Sequence, residues 1–423
     1  MTGIVITTIG SLGDLHPKIA IALELRKRGH NLVFATHQEY RSKIEALGFE
    51  FKRMRPDNTA LSDPEEMARM MDLKTGVEYT ARNWIAQNLA KTYTDLIDSA
   101  RDAELIITGE GVLAARLVAE KLKIPWVSIV LQPIAFLSAY DPSVIPVFPW
   151  LAKLRKFGFF VNKAVIKLSK SIAKSWAEPV HELRRELELP PLVGNPFIDD
   201  KHSPYLVLAM FSSVLAKPQP DWSVNTIVTG FTFYDGSSTE LTAELKQFLD
   251  AGESPIVFTL GSAAVMSPGN FYHESIKAAK LLNRRAVLLV GKNALPANLS
   301  SDIIAVNYAP YSQIFPYASA IVHQGGIGTT AQALRAGCPT IIMPYSHDQP
   351  DNAARVKRLG TSLTISRQQY FAPLVAKELN KLLTNPSYKT KALEVQRIVE
   401  AENGVEIACD AIERSIRLFA NKK

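Results

Sequence analysis

The sequence is poor in cysteine, in long apolar runs and in export signals. Its 423 residues include two cysteines, Cys338 and Cys409. They provide no disulfide framework and no metal-ligand spacing, so we expect two small buried residues in a reducing cytoplasm. No apolar run reaches the roughly 18 residues that cross a bilayer, and the opening MTGIVITTIG lacks a basic segment. The composition therefore predicts a soluble cytoplasmic protein without a secretory signal or membrane span.

Two motifs that would indicate other chemistry are also missing. The turn Gly10–Pro17, GSLGDLHP, separates a strand from a helix, but its glycines do not fit G-x-G-x-x-G. No acidic residue closes the next strand, which ends in Ala35, Thr36 and His37, so a bound NAD is not expected. The chain has no Asp-x-Asp motif, and a bridging divalent metal is therefore not implied.

Strand and helix patterns alternate along most of the chain. This order is typical of α/β proteins with parallel sheets, and 423 residues fit two domains better than one core. A first Rossmann-like domain is predicted at 1–213, a Pro/Gly/Ser-rich linker at 214–240 and a second Rossmann-like domain at 241–402. The predicted elements include strands 3–9, 31–36, 104–108, 126–130, 225–229 (a short strand inside the linker), 255–260, 286–290, 303–306 and 340–344, and helices 17–28, 111–122, 270–282 and 405–419.

A glycine-rich turn in the second half has the character of an anion site. A buried strand delivers His323 to its end, and a helix is predicted to start at Ala331. The turn between them consists of Gly325, Gly326, Gly328, Thr329 and Thr330. Such a turn presents backbone N–H groups and a helix N-terminus to a negative ligand, while the threonine hydroxyls cap the helix or bind the ligand. We therefore predict a phosphate site.

An adjacent pair, Asp348 and Gln349, indicates the chemical class of the ligand more closely. Both residues follow the buried strand at 340–344, one helix further along the chain. A carboxylate beside an amide offers acceptors and donors in one plane, which suits vicinal sugar hydroxyls. Phosphate and sugar together suggest a nucleotide sugar.

The segments HQGGIGTTAQALRAG…DQPDNA and GSLGDLHP resemble the signature of GT-B nucleotide-sugar glycosyltransferases, in the UDP-glucuronosyl/UDP-glucosyltransferase superfamily. The resemblance is strongest to the bacterial branch that contains the rhamnosyltransferases of rhamnolipid synthesis and to sterol glucosyltransferases. It implies two Rossmann-like domains facing across a cleft, with a last helix at 403–423 that packs back on the first domain. The donor would be a UDP- or dTDP-sugar substrate, with no cofactor. Ala331 stands where many relatives have a ribose-binding glutamate, which admits a deoxyribose nucleotide.

The resemblance also assigns donor contacts to individual residues. Ser262, in the turn LGSAA, corresponds to a second phosphate-contacting loop, although a simple tight turn is the alternative. Tyr308 and Ala309 lie where relatives place a base-stacking aromatic, and such stacking contributes roughly 1 to 3 kcal/mol. His323 would contact the diphosphate through positive charge or N–H donation, which stabilises the leaving group.

In relatives, the turn corresponding to Gly10–Pro17 carries the base that deprotonates the acceptor hydroxyl, and Gly13 in its centre is a candidate donor-binding residue. Asp14 and His16 are both candidates, because a hydroxyl is a poor nucleophile without a base in reach. The alternative for Asp14 is helix capping, which Pro17 at the first helical position would support. Glu110 is the candidate that would orient a histidine base; its alternative is a solvated loop residue.

A basic segment at 151–175 contains seven Lys/Arg residues and no Asp or Glu. Its lysines recur at helical spacing among apolar residues, which predicts an amphipathic basic helix. The helix either lines the acceptor cleft with its lysines in solvent, or forms a surface that approaches a lipid-like acid acceptor or anionic lipid, the latter peripherally at the inner membrane face. The basic residues elsewhere are dispersed, so nucleic acid is not an expected partner.

The sequence thus predicts an inverting, metal-independent hexosyltransferase that uses a UDP- or dTDP-sugar and a lipophilic acceptor. Acceptor choice is expected to depend on loops 58–93 and 132–149. Two alternatives stay open: a nucleotide-sugar epimerase or phosphorylase, and a non-catalytic nucleotide-sugar binding subunit.

Overall fold

Two wholly parallel β-sheets organise the chain. The computed structural model describes residues 2–57, 63–146, 157–199, 201–236 and 240–420. The first sheet has the order β3-β2-β1-β4-β5-β6-β7, and its strands are β1 (Gly3–Thr7), β2 (Asn31–Thr36), β3 (Glu50–Arg53), β4 (Leu105–Gly109), β5 (Trp126–Val130), β6 (Val207–Ala209) and β7 (Thr226–Val228). The second has the order β10-β9-β8-β11-β12-β13, from β8 (Ile256–Thr259), β9 (Ala286–Leu289), β10 (Ile303–Val306), β11 (Ala320–His323), β12 (Thr340–Ile342) and β13 (Ser362–Thr364).

Sixteen α-helices within the described residues connect and cover these strands. They are α1 (Leu12–Lys27), α2 (Arg41–Ala46), α3 (Pro64–Met70), α4 (Gly76–Tyr79), α5 (Leu89–Ser99), α6 (Ala114–Leu122), α7 (Phe159–Ile172), α8 (Glu178–Glu186), α9 (Ala243–Asp250), α10 (Phe271–Leu281), α11 (Tyr311–Ile314), α12 (Ile327–Arg335), α13 (Gln349–Arg358), α14 (Ala372–Thr384), α15 (Pro386–Glu400) and α16 (Gly404–Ala420). No helix in this part of the chain is long and apolar enough to cross a membrane.

The central strands are buried along their whole length rather than on alternate residues. Ile4, Val5 and Ile6 of β1 are almost completely inaccessible, as are Val257 and Phe258 of β8. Continuous apolar strands of this kind belong to parallel sheets with helices on both faces. The predicted α/β class with two parallel-sheet domains is confirmed.

Contacts divide the chain into two compact units. The first comprises Met1–Thr59, Thr75–Tyr234 and Asn403–Lys423, and the second comprises Ala60–Lys74 and Asp235–Glu402. The second unit therefore includes α3, which comes from the first part of the sequence. β7 lies within the stretch interpreted as a linker, at the short strand predicted for 225–229, and it is the edge strand of the first sheet.

Helices α1 and α12 begin at earlier residues than the sequence pattern predicts. α1 starts at Leu12 rather than at 17, so Pro17 lies inside the helix and not at its first position. Ser11 and Asp14 cap this earlier start, and the missing N–H of Pro17 leaves the carbonyl of Gly13 without its usual helical partner. α12 starts at Ile327, not Ala331.

The last helix, α16, packs against α1 within the first unit. Arg28 Nη1 lies 2.6 Å from Asp410 Oδ1 and 3.1 Å from Glu413 Oε2 beside this contact. Cys409 is buried there, and Cys338 is buried in the second unit. Burial raises the pKa of each thiol to about 12, so both behave as small core residues.

Candidate active site

A capping box holds Asp14 at the end of β1. The Ser11 hydroxyl accepts a hydrogen bond from the N–H of Gly13 at 3.2 Å, and Asp14 Oδ2 accepts one from the N–H of Ser11 at 2.9 Å. Asp14 therefore does cap the helix, and this role leaves its second oxygen, Oδ1, out of the box. Burial raises the pKa of Asp14, against the lowering effects of Lys18 and of the hydrogen bonds from Ser11. A carboxylate with a raised pKa is the better proton acceptor.

The backbone of Gly10 shapes the same turn. Its φ of 114° is a conformation that favours glycine, and a methyl group here would come within 2.4 Å of Asp14 Oδ2. The Tyr40 hydroxyl donates to the carbonyl of Gly10 at 2.8 Å, and the N–H of Gly10 donates to His37 Nε2 at 3.1 Å. Nδ1 of His37 carries the proton and donates to the carbonyl of Pro56. Burial lowers the pKa of His37, which keeps this acceptor neutral.

Lys18 is a buried charge that the sequence interpretation missed. Its side chain is 1% exposed, and Nζ donates to the backbone carbonyl of Asp14 at 2.9 Å. Burial lowers the pKa of Lys18 to about 8, while the charges of Asp14 and Glu110 oppose that shift. The sequence does contain a signal for this burial, because Lys18 directly precedes the apolar run IAIAL in the same predicted helix.

His16 and Glu110 lie in the same unit, but no hydrogen bond or ion pair connects their side chains in the described residues. His16 Nε2 is buried without a hydrogen-bond partner among the described residues, and its ring stands edge-on to Tyr234 at 5.1 Å. Burial lowers the pKa of His16 to about 4, with help from Lys43. Glu110 Oε1 pairs with Lys201 Nζ at 2.8 Å. The predicted orienting contact from Glu110 to a histidine base is thus not formed in the described structure.

The glycine turn of the second unit places open N–H groups at the start of α12. Gly326 is the N-cap, so Gly328 and Thr329 fall in the first helical turn, where backbone N–H groups have no intrahelical acceptor. Gly325 has a φ of 89°, and a methyl group on it would come within 2.7 Å of Ile342 Cγ2. This geometry is that of an anion-binding helix terminus.

His323 is a neutral N–H donor in this turn. Its Nδ1 accepts a hydrogen bond from the N–H of Gly325 at 3.0 Å, so the ring proton resides on Nε2. Nε2 is buried and has no partner among the described residues. Burial lowers the pKa of His323 to about 3. Of the two modes expected from the sequence, the structure supports N–H donation rather than positive charge.

Asn352, which the sequence interpretation missed, ties the glycine turn to the proposed sugar pair. Its buried Nδ2 donates to the carbonyl of Gly325 at 2.9 Å and to Asp348 Oδ2 at 2.6 Å. Asp348 Oδ2 also accepts from the N–H of Ile327 at 3.2 Å. Gln349 is buried, and its Oε1 accepts from the N–H of Tyr345 at 2.8 Å. The position of Asn352, four residues after Asp348 on one helix face, was the available signal.

The remaining candidates lie in the same unit. A methyl group on Gly261, the residue before Ser262, would come within 2.3 Å of Gln324 Nε2, so the two loops touch. Thr330 Oγ1 is buried without a partner in the described part of the chain. The ring of Tyr308 is 65% exposed and accessible for stacking, whereas Ala309 is buried.

A segment from the first part of the sequence supports the turn that precedes Asp348. Ser346 Oγ donates to the carbonyl of Asp72 at 2.8 Å, and His347 Nε2 donates to the carbonyl of Met70 at 2.9 Å. His347 has a φ of 56°, which is uncommon for a residue with a side chain. Residues 63–74 thus help to fix the backbone conformation beside Asp348 and Gln349.

Comparisons with known proteins agree on one kind of enzyme. Residues 4–135 match the glycosyltransferase family 28 N-terminal domain, and residues 281–413 match the erythromycin biosynthesis protein CIII-like C-terminal domain. The O-mycaminosyltylonolide 6-deoxyallosyltransferase of Streptomyces fradiae is 31% identical over 436 residues, which cover 97% of this chain and 96% of that protein.

More distant similarity extends to sterol enzymes and to solved structures. The sterol 3-beta-glucosyltransferase of Yarrowia lipolytica is 27% identical over 97% of this chain, which spans only 28% of that longer protein. The crystal structure of glycosyltransferase VinC in complex with dTDP aligns with a TM-score of 0.67 at 18% identity, covering 98% of this chain and 100% of that one. At this identity the structural match establishes the fold.

Proposed function

The chain belongs to the GT-B nucleotide-sugar glycosyltransferases, and we propose that it transfers a hexose from a dTDP- or UDP-sugar to a hydroxyl of a lipophilic acceptor. The transfer inverts the anomeric configuration and needs no metal. Its homologues support a hexosyltransferase enzyme. To this activity the proposal adds the donor nucleotide, the inversion at the anomeric carbon and the class of acceptor. Each half of the chemistry is assigned to residues of one unit.

In the first unit, Asp14 accepts the proton of the acceptor hydroxyl. Its raised pKa favours proton uptake, and its place in the capping box fixes the carboxylate. His16 is the alternative base, because its neutral ring has an unpartnered Nε2. The acceptor oxygen then bonds to the anomeric carbon from the face opposite the diphosphate. The bond from that carbon to the diphosphate oxygen breaks, and the electron pair leaves with the nucleoside diphosphate.

In the second unit, the observation that carries the proposal is the buried, unpartnered Nε2–H of His323 beside a helix N-terminus. A buried donor without an acceptor costs about 1 to 3 kcal/mol, and a diphosphate oxygen supplies the missing acceptor. The N–H groups of Gly328 and Thr329 add to the charge stabilisation, so no metal is required to balance the leaving group. Asp348 and Gln349 bind the sugar hydroxyls, and Tyr308 stacks on the base.

The donor nucleotide and the acceptor class are supported by similarity. The VinC complex contains dTDP, a pyrimidine nucleoside diphosphate. Ala331 is buried at the position where many relatives recognise ribose, which is compatible with deoxyribose. The acceptors named for the relatives are O-mycaminosyltylonolide and sterols. A sterol is a large apolar alcohol, and we assign the acceptor of this chain to the same lipophilic class.

The test begins with thermal shift measurements in dTDP, UDP, ADP and GDP. A ligand at a hundred times its Kd adds about 2.7 kcal/mol to stability, so dTDP or UDP should raise Tm selectively. His323→Gln should reduce that response, whereas His273→Gln, an exposed histidine on α10, should not. Absence of any pyrimidine response would overturn the donor assignment.

A transfer assay then separates the remaining alternatives. The purified protein, with EDTA present, is incubated with dTDP- or UDP-hexose and a panel of lipophilic alcohols, and products are identified by mass spectrometry and NMR. A glycoside with inverted anomeric configuration supports the proposal. Donor turnover without acceptor would indicate an epimerase or phosphorylase, and donor binding without turnover would indicate a non-catalytic subunit.

A further inference from the structure

Helix α7 presents an apolar stripe to solvent. Phe160 is 84% exposed, Leu168 55% and Ile172 46%. Their positions differ by multiples of four, so they lie along one face of the helix. The polar Asn162 points the other way: it is buried, and its Nδ2 donates to the carbonyl of Ala139 at 3.0 Å. The helix is therefore amphipathic with its apolar residues outward, the reverse of an ordinary surface helix.

Aromatic rings extend this stripe at the N-terminal end of α7. Phe157 is 69% exposed and Tyr140 is 51% exposed. The rings of Tyr140 and Phe159 lie 4.6 Å apart, and those of Phe159 and Phe160 lie 5.5 Å apart. A cluster of exposed aromatics is not explained by packing within the described fold, and aromatic side chains are favoured where an apolar phase meets water.

Lysines flank the stripe without acidic residues among them. Lys163 and Lys167 of α7, and Lys174 in the 3-10 turn that follows it, are all exposed, and the segment 157–175 contains no Asp or Glu. A fourth lysine, Lys170, pairs with Asp199 and does not belong to this set. The exposed face of α7 thus combines an apolar stripe with uncompensated positive charge. This combination matches a bilayer that carries anionic headgroups at its surface and acyl chains beneath.

We propose that the exposed face of α7, together with Tyr140 and Phe157, binds the surface of an anionic lipid bilayer, with the helix lying in the plane of the interface. The phenyl and aliphatic side chains enter the acyl boundary, and the three lysines bind the headgroups. A protein partner would need acidic groups to match the lysines and an apolar groove for the stripe. A bilayer offers both without any specific sequence. The residues 151–156 of the predicted basic segment lie outside the described structure and carry no part of this inference.

The proposal is independent of the transfer reaction and has its own readout. The full chain is mixed with sedimenting vesicles, either of phosphatidylcholine alone or of equimolar phosphatidylcholine and phosphatidylglycerol, and the bound fraction is measured at low and high salt. We expect binding to the anionic vesicles that weakens with salt. Lys163→Glu/Lys167→Glu removes two headgroup contacts and adds two repulsive charges, so it should lower the partition coefficient about thirtyfold or more.

A second variant and a control complete the design. Phe160→Ser/Leu168→Ser should lower binding to a similar degree, because the apolar anchor is lost. Lys280→Glu/Leu281→Ser changes an equally exposed lysine and leucine on α10 and should bind like the parent chain. All these positions are on the surface, and circular dichroism verifies that the variants fold.

Three results would overturn the proposal. They are absence of binding to anionic vesicles, equal binding by the α7 variants and the parent, and a concentration-dependent dimer in light scattering that the α7 variants abolish while vesicle binding is absent. The third result would assign the face to a second copy of the chain. The nucleotide thermal shift is measured on the same samples, so loss of lipid binding is distinguished from failure of the proposed donor site.

Discussion

At the scale of single residues, two neutral histidines hold the two glycine turns. His37 accepts a hydrogen bond from the N–H of Gly10, and His323 accepts one from the N–H of Gly325. Protonation of either ring would remove the acceptor and place two N–H groups against each other. Burial lowers the pKa of both rings, so both turns are stable at neutral pH. Each histidine therefore links the conformation of a turn to the protonation state of its ring.

The base in the first unit can be identified by a variant that preserves the cap. Asn in place of Asp14 still offers a carbonyl oxygen to the N–H of Ser11 but cannot take up the acceptor proton. We expect Asp14→Asn to lower kcat about 10²- to 10⁴-fold, with the dTDP or UDP thermal shift unchanged. His16→Gln serves as the matched variant and should retain most activity. An active Asp14→Asn enzyme beside an inactive His16→Gln enzyme would transfer the role to His16.

Lys18 should tune the basicity of Asp14. Its ammonium lowers the pKa of Asp14, so Lys18→Met should raise that pKa and move the acidic limb of the kcat/KM profile to higher pH. Loss of the ammonium also leaves the buried carboxylate of Asp14 without this opposite charge, so Tm should fall, and the pH profile is measured below the Tm of the variant. Lys27→Met, at a lysine whose side chain is 80% exposed on the same helix, is the control. Identical pH profiles for Lys18→Met and the parent enzyme would show that Lys18 does not influence the pKa of Asp14.

At the scale of elements, strands could be predicted better than helix starts. Strand β2 coincides with the predicted 31–36 and β5 with 126–130, because short apolar runs bounded by turn residues are a direct signal. The start of α1 depends instead on a reciprocal pair of hydrogen bonds between Ser11 and Asp14. Pro17 is the stronger local signal for a first helical position and misled the prediction.

Contacts between segments distant in the chain could not be predicted from the sequence, for a different reason. α3 falls in a stretch interpreted as an acceptor loop, yet it belongs to the second unit, where the carbonyls of Met70 and Asp72 accept hydrogen bonds. Any residue has a backbone carbonyl, so no residue type in 63–74 indicates this contact. For Asn352 the spacing from Asp348 was visible in the sequence, but its hydrogen bond to Gly325 depends on the position of that residue in space. Residues 58–62 and 147–149 of the predicted acceptor loops lie outside the described structure.

The support that α3 and its neighbours give to the turn before Asp348 is testable. Ser346→Ala removes the bond to Asp72, and His347→Gly removes the bond to Met70 while glycine tolerates the φ of 56°. We expect both variants to show faster amide hydrogen exchange within 63–74 and a higher donor KM, with kcat little affected.

The matched control is Ser366→Ala, at an exposed serine whose hydroxyl donates to Gln369 at 3.0 Å. It should leave exchange and KM at parent values. Unchanged exchange in 63–74 for both test variants would show that the two hydrogen bonds do not hold this segment.

At the scale of the whole molecule, the alternation of strand and helix patterns predicted the α/β class, but neither this order nor the composition could predict how many histidines are buried. The chain has eight histidines. Burial is the main cause that lowers the pKa of five of them, namely His16, His37, His202, His323 and His347. They occur in both units, so their titration affects the entire fold rather than one site.

These five rings should make the protein sensitive to mild acid. A folded-state pKa below the unfolded value of about 6.5 means that the unfolded chain binds protons first, so stability is complete above pH 6.5 and is lost as pH falls below it. Each ring contributes a slope of about 1.4 kcal/mol per pH unit, and even three of them approach the total stability of a typical domain within two to three units. Asp14, with its raised pKa, opposes this trend by one proton at most. The free energy of unfolding, measured with urea at about pH 7.5, 6.5 and 5.5, should fall steeply below the second value.

A single substitution tests whether buried neutral rings cause this acid sensitivity. His202→Phe removes one such group while keeping an aromatic ring beside Phe136, which lies 5.2 Å away. Because phenylalanine binds no proton in either state, the variant should lose about 1.4 kcal/mol per pH unit from the slope below pH 6.5. A flat profile in the parent chain, or an unchanged slope in His202→Phe, would contradict the burial of neutral histidines as the cause.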